Sequence, residues 1–374
     1  MRSEAPVKWV PVRDVGDVRM GKQLSPASRD AAGQFPYLRV ANVYEGRIDF
    51  SDVKTMGFSP VERELFSLRP GDILLNEGQE NLRMVGRSAI YSGAPNAYCY
   101  QNTLIRFRPG PGVIPEYAQA VFVQWRAQGV FAGVAEKTSI SHLGGNRFGR
   151  LLFPLRERSA QLRIVEVIDA VDNAISLSRR ALGKESLVEE GLLRRSLEPS
   201  PDDEMEDWVN GRFIDLAHLQ RGFDITVAEQ RVGSVPVVSS SGVSSFHDVP
   251  KAKGPGVVTG RKGKLGDVYY LDSEYWPHDT SLWVTDFKGN DPYFVALYMR
   301  AMRLEQFDAA TSVPTLNRNI VHRIPVIFPR LSRQIEIVER VKAQNVKVAA
   351  IGGEIAKLNA IKRGLVNDLL VDSS

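Results

Sequence analysis

Gln161, Ile164, Val165, Glu166, Ala170, Lys184, Gly191, Leu192 and Leu197 return 173 residues later as Gln334, Ile337, Val338, Glu339, Ala343, Lys357, Gly364, Leu365 and Leu370. The same offset pairs Thr138-Ser139 with Thr311-Ser312, Leu143 with Leu316, Asn146 with Asn319 and Arg150 with Arg323. One register held over about sixty residues is a domain duplication, because solenoid units repeat every 20–50 residues or so. The fold therefore has to accommodate two copies of one frame.

The best-kept part of the frame reads as helix. Ser159 and Ser332 stand just before the two periodic runs and are read as their N-caps. Pro154 and Pro329 are read as closing the extended segments in front, since proline interrupts a strand ladder. Ile164, Ile168, Val171, Ile175 and Leu182 form a heptad-like seam in the first copy. Val341, Gln344, Val348, Ile351, Ile355 and Leu358 form one in the second. At about 1.5 Å per residue each helix is roughly 54 Å long. Gly183 and Gly352-Gly353 weaken the helices midway, by about 1 kcal/mol per glycine. A long helix with a narrow apolar seam is not stable alone, and its own repeat is the partner nearest to hand. An antiparallel coiled coil is expected; the alternative is that each helix packs only on its own domain.

In front of each helix lie short β-branched runs bounded by Gly, Pro and Asn, which read as strands and tight turns. Each half also carries one clear helix, Pro115 to Phe131 and Asp291 to Phe307. The expected class is α+β: two mixed α/β domains related by a pseudo-twofold repeat and separated by two long antiparallel helices. The expected boundaries are a first domain at 1–157, a helix at 158–197, a linker at 198–206, a second domain at 207–330 and a second helix at 331–372.

A chain of 374 residues has length for two or three domains. Its net charge of +4 and pI near 9.0 permit an acidic partner without requiring one. Cys99 is the only cysteine, so neither an intrachain disulfide nor a Cys-rich zinc site is available. The histidines (His142, His218, His247, His278 and His322) include no H-x-x-x-H pair, and no metal site is expected. No apolar run approaches the 18 or so residues of a membrane span. The start, MRSEAPVKWVPV, lacks a signal-peptide core. A cytoplasmic protein is expected.

YLRVANVYEGRIDF (37–50), LRPGDILLNEG (68–78), MVGRSAIY (84–91), QNTLIRFRP (101–109) and the two long helices, each led by a proline and a glutamine, recur in a characteristic order. In that order the chain resembles the specificity (S) subunits of type I restriction-modification systems over nearly its whole length. The resemblance implies two target-recognition domains, each reading half of a split double-stranded DNA site, and helices that set the gap. It also implies docking of two modification (methyltransferase) subunits on the helices, with restriction (motor-nuclease) subunits joining for cleavage. The chain itself would be non-catalytic and bind no cofactor; S-adenosylmethionine would sit on the methyltransferase, which methylates adenine N6. Family members often carry Glu before the helix glutamine, where this chain has Ala160 and Arg333.

Phosphates need cations, and bases need forked donors and acceptors. Gln79, Asn81, Arg83 and Arg87 lie on one glycine-bounded stretch, and Lys137, Thr138, Ser139, His142, Asn146 and Arg147 on another. In the second half Arg261, Lys262 and Lys264 are interleaved with glycines, and Thr311, Ser312, Asn317 and Arg318 follow. Arg261 and Lys262 are expected to touch phosphate. The bland readings are solvated hairpins and strand caps.

Two rival functions also fit parts of the sequence. A stand-alone adenine methyltransferase would explain NDPYF (290–294), close to N-P-P-Y, but the second proline and a cofactor-seating glycine turn are missing. Asp291-Pro292 reads better as a helix start. GVVTGRKGKLG fails as a phosphate loop. A coiled-coil scaffold without DNA binding would keep the repeat but need no basic loops.

Overall fold

A computed structural model of the chain describes residues 7–79, 81–137, 141–200, 204–308 and 313–370. Two compact units emerge, Met1–Leu177 with Ile355–Ser374, and Ser178–Glu354. The division runs through both long helices, so each unit owns part of each.

The first unit is built on an antiparallel sheet in the spatial order Gly16–Met20, Leu104–Pro109, Ile73–Asn76, Ser88–Ile90. Its strands obey the two-residue period of a sheet covered on both faces. Ile73, Leu75, Ile105 and Phe107 point to one side, and pack on Tyr117, Val121, Phe122 and Trp125 of the helix Pro115–Ala127. Leu74, Ala89 and Leu104 point to the other, against Leu38, Tyr91 and Tyr100. A three-stranded sheet of Cys99–Tyr100, Gln34–Leu38 and Lys54–Gly57 lies on that side.

The second unit repeats this plan with little shared sequence. Its main sheet runs His218–Arg221, Ser281–Asp286, Gly256–Gly260, Val268–Leu271. In both sheets the spatial order is first, fourth, second and third strand along the chain. The helix Pro292–Ala301 stands for Pro115–Ala127, and a three-stranded sheet again contains one parallel pair.

Several local expectations change. The helix expected over 115–131 stops at Ala127, because Gly129 takes a left-handed φ of 78° before a separate turn at Val130–Val134. The one expected over 291–307 stops at Ala301, and Arg303 at φ 50° leads into a 3-10 turn. Ser159 and Ser332 are not caps: the helices begin at Arg158 and Leu331, and the carbonyls of Glu157 and Arg330 accept their first amides. Pro154 does not end its strand but lies within it, opposite Trp9. Among the described residues that ladder has two strands, Lys8–Pro11 and Leu152–Leu155, where a missing N–H is tolerated.

The long helices run Arg158–Ser196 and Leu331–Leu370, of 39 and 40 residues, unbroken at Gly183, Gly352 and Gly353. In the first unit the start of one lies beside the end of the other: Ile164 and Ile168 share a core with Val366, Leu369 and Leu370, and Lys362 pairs with Asp172 at 2.6 Å. In the second unit Leu192, Leu193 and Leu197 pack with Ile337, Val338 and Val341, and the Gln344 amide donates to the Glu185 carboxylate at 2.6 Å. Within each unit the helices therefore pass antiparallel. Of the seam residues, Ile164, Ile175, Val341 and Gln344 are buried, and Ile168, Val171, Leu182, Val348, Ile351, Ile355 and Leu358 are half-buried.

Candidate nucleic-acid interface

Each long helix is locked to its sheet by a fully buried glutamine. Gln161 accepts the Ile114 N–H at 2.8 Å and donates to the carbonyls of Gly112 and Arg156, each at 2.8 Å. Gln334 accepts the Asp291 N–H at 2.9 Å and donates to Pro329 O at 2.8 Å and Asn290 Oδ1 at 2.6 Å. Tyr117 and Tyr298 repeat a second tie, donating to the carbonyls of Pro154 and Ile327 at 2.6 and 2.8 Å. The NDPYF segment belongs to this joint. Asp291 caps its helix by accepting the Phe294 N–H at 2.8 Å, and Asn290 donates to Leu216 O and Phe287 O.

Each joint ties the start of a rod to the domain of its own unit, and each main sheet carries an open cleft at the same place. In the second unit the cleft lies between the strand His218–Arg221 and the short helix Arg318–His322, lined by Gln220, Arg221, Arg261, Asn317 and Arg318. In the first it lies between Gly16–Met20 and the helix Gly145–Arg150, lined by Arg13, Arg19, Met20, Phe66 and Asn146. Gly21 and Gly222 end the two strands at equivalent points, where a Cβ would fall 2.4 Å from Gln101 C and 2.2 Å from His278 O. Only glycine allows that approach.

Two clusters far apart in the sequence meet in the second unit. Lys262 bridges Thr315, Leu316 N donates to Arg261 O at 2.8 Å, and Gly263 N donates to Pro314 O at 2.9 Å. Asp279 organises the guanidinium groups. Its carboxylate is 2.8 Å from Arg221 Nη2 and 3.7 Å from Arg261 Nη2, while its carbonyl accepts Arg261 Nε at 2.8 Å. Burial, and then the nearby Arg221 charge, push the Arg261 pKa down, the mark of cations crowded around one carboxylate. Asp224, His278 and Asp279 bring ligand atoms within 4.8 Å of one another, but Asp279 is committed to the arginines and the trio is part of their frame.

The remaining candidates divide. Arg318 and Lys262 are exposed, and Asn317 spends its side chain on the Asn319 N–H at 2.9 Å. Lys264 pairs with Asp267 at 2.5 Å. In the first unit the strand Gly78–Gln79 pairs with Ser141–His142, which in turn pairs with Glu136–Lys137, so these two clusters also meet. Arg147 is turned inward, donating to Leu143 O and His142 O and pairing with Glu136. Asn146 faces the cleft and is exposed. Asn81 is exposed, and Arg83 lies in the turn Leu82–Met84. Arg87 stacks on Tyr44 at 5.0 Å, with Arg47 at 4.9 Å on the same ring. Thr138, Ser139, Thr311 and Ser312 lie outside the described residues.

Sequence reading missed Glu77, Arg221 and Asp279. A faint signal existed in Arg221-Gly222, which repeats the side chain-glycine step of Met20-Gly21 at the end of a strand.

Residues 205–360 match the model of the type I restriction modification DNA specificity domain. That stretch holds the second unit's sheets, its arginine cleft and most of the second rod. The second half of the chain is thus similar to the specificity domain of type I restriction-modification systems. One relative is the specificity subunit of the type I restriction enzyme EcoKI from Escherichia coli K12, 26% identical over 157 residues, 41% of this chain and 34% of that subunit. The chain thus matches about a third of that relative's length. Solved structures similar along the whole chain include the S subunit of a type I restriction-modification system from M. genitalium, with a TM-score of 0.58, 14% identity and coverage of 100% and 99%. A chain from a study of complex assembly and conformational transition in a type I R-M system gives a TM-score of 0.70 at 13% identity, with full coverage of both chains. The HsdS subunit of Thermoanaerobacter tengcongensis gives 0.57 at 14%, with coverage of 98% and 97%. At these identities the structures speak for the fold: mixed α/β domains joined by long helices in contact. The matched domain is described by specificity, not by catalysis. No helix among the described residues is long and apolar enough to cross a membrane.

Proposed function

We propose that this chain is the non-catalytic DNA-recognition subunit of a type I restriction-modification complex in the cytoplasm. Residues 1–157 and 207–330 act as target-recognition domains, each reading one half of a two-part double-stranded site. The helices at 158–197 and 331–372 set the gap between halves and dock two methyltransferase subunits. Those subunits bring S-adenosylmethionine, and motor-nuclease subunits join for cleavage.

One observation carries the reading. An open cleft recurs at the same place in two sheets of identical strand order, while its side chains differ. A frame duplicated with its contacts altered fits two unlike half-sites better than two copies of one ligand. A gel shift with the full-length chain and its co-purified methyltransferase subunits tests this. The expected result is retention of a duplex carrying both half-sites at their natural gap, and loss of it when one base pair is inserted between them. Equal retention of any duplex, or of none, would contradict it.

A further inference from the structure

The two units repeat the same backbone hydrogen bonds around one pair of residues, Glu77 in the first and Arg261, which lines the cleft, in the second. Leu143 N donates to Glu77 O at 2.8 Å, and Leu316 N to Arg261 O at 2.8 Å. Glu77 N donates to Thr103 O at 3.0 Å, and Arg261 N to Thr280 O at 2.8 Å. The next residue is Gly78, opposite His142, in one unit and Lys262, opposite Thr315, in the other. Leu143 with Leu316 and His142 with Thr315 are each separated by the repeat offset of 173. Glu77 and Arg261 therefore leave the backbone at the same point of the same frame with opposite charge.

We infer that Glu77 and Arg261 are base-reading positions, one for each half of the two-part DNA site. This inference rests on the function proposed above and assigns it to atoms. The DNA backbone carries the same phosphate at every step, so a phosphate contact is independent of sequence. A duplicated frame that used this point to grip phosphate would need a cation in both copies. A carboxylate in one copy excludes that use there, and the reversal of charge is what two different base edges require. Guanine offers two adjacent acceptors in the major groove, whereas cytosine and adenine offer an exocyclic amino group.

The local geometry suits each role. The Arg261 guanidinium is held from behind by the Asp279 carbonyl at Nε and by the Asp279 carboxylate beside Nη2, and it lines an open cleft. A fork oriented in advance forfeits little side-chain freedom when it meets an acceptor pair. Asp279, which also holds Arg221 at 2.8 Å, is a positioning residue. Glu77 is oriented in the same manner. Its Oε2 is 2.9 Å from His142 Nδ1, and its Oε1 accepts the Gly144 N–H at 3.3 Å. An ionised carboxylate only accepts, which suits an amino group. Lys262, exposed and one residue beyond Arg261, keeps the phosphate role.

The test uses the full-length chain co-expressed with its methyltransferase subunits in a host free of adenine methylation, with methylated adenines mapped across the genome. Arg261→Gln and Arg261→Lys are expected to relax one guanine in one half of the motif, by on the order of 10- to 100-fold in preference. The other half should be untouched, which also reports that the variant folds and assembles. Glu77→Gln is expected to relax one position in the opposite half, and Asp279→Asn the same position as Arg261→Gln but less. A motif unchanged by all of these would overturn the assignment. So would Arg261→Lys keeping the wild-type motif while Arg261→Gln weakens every site alike, since that is a phosphate contact. Loss of all methylation in both Arg261→Lys and Glu77→Gln would overturn it too, because a reading position alters which sites are chosen. A wild-type chain that yields no two-part motif would instead remove the proposed function.

Discussion

Replacing Gln161 by alanine probes the joint between rod and sheet. The side chain is fully buried and makes three hydrogen bonds of 2.8 Å to backbone groups. Its loss strands the Ile114 N–H, which costs about 1–3 kcal/mol for a buried donor, and takes about 0.5–1.5 kcal/mol from each of two carbonyls. Together these suggest a destabilisation of about 4 kcal/mol, a large fraction of the ~5–15 kcal/mol that holds a domain folded. Gln334→Ala should cost a similar amount in the second unit. Urea unfolding measures the loss, and hydrogen exchange locates it. In Gln161→Ala the Ile114 amide should lose protection while the Asp291 amide keeps it, and Gln334→Ala should reverse the pattern. Unfolding curves shifted by less than about 0.5 kcal/mol, well below one stranded donor, would mean that the glutamine does not lock the joint. So would an Ile114 amide that stays protected.

Gly183→Ala should raise stability by about 1 kcal/mol, since the residue is mid-helix and a Cβ there meets nothing within 4 Å; thermal melting checks it. His322 predicts an acid-side weakness. Burial first, then His218 and Arg318, lower its pKa below the usual 6.5, and its Nε2 accepts the Leu219 N–H at 2.9 Å. The unfolded chain therefore takes up the proton first, so stability present above pH 6.5 is lost as pH falls through the lowered folded value. His322→Gln should flatten that part of a pH-stability curve. Lys262→Ala should weaken DNA binding and reduce the slope of log affinity against log salt by about 0.9, as one released counterion requires. An unchanged slope in a binding titration would dismiss that phosphate contact.

The rods were legible because a heptad seam is a local, periodic signal, and its spacing survives substitution at most other positions. Gln161 and Gln334 were legible as a repeat but not as a lock, because their partners at Gly112 and Asn290 lie more than forty residues upstream. Ser159 and Ser332 misled because a capping residue type one step inside the helix looks like the cap itself. Pro154 misled because the rule against proline in a ladder relaxes in a pair of strands with two edges. The clefts were only half visible. Glycines and arginines at 260–266 marked a site, yet Glu77 and Arg261 share no identity. Their equivalence resides in hydrogen bonds of the backbone, to which the side-chain alphabet is blind.

If duplicated rods carry two unlike readers onto one duplex, the methylation pattern of the host genome records it. Mapping methylated adenines in the host genome before and after deletion of this gene tests it most directly. The expected result is the disappearance of a single motif made of two different halves at a constant gap, restored when the gene is returned. Methylation that persists without the gene, or the loss of an uninterrupted motif, would contradict it.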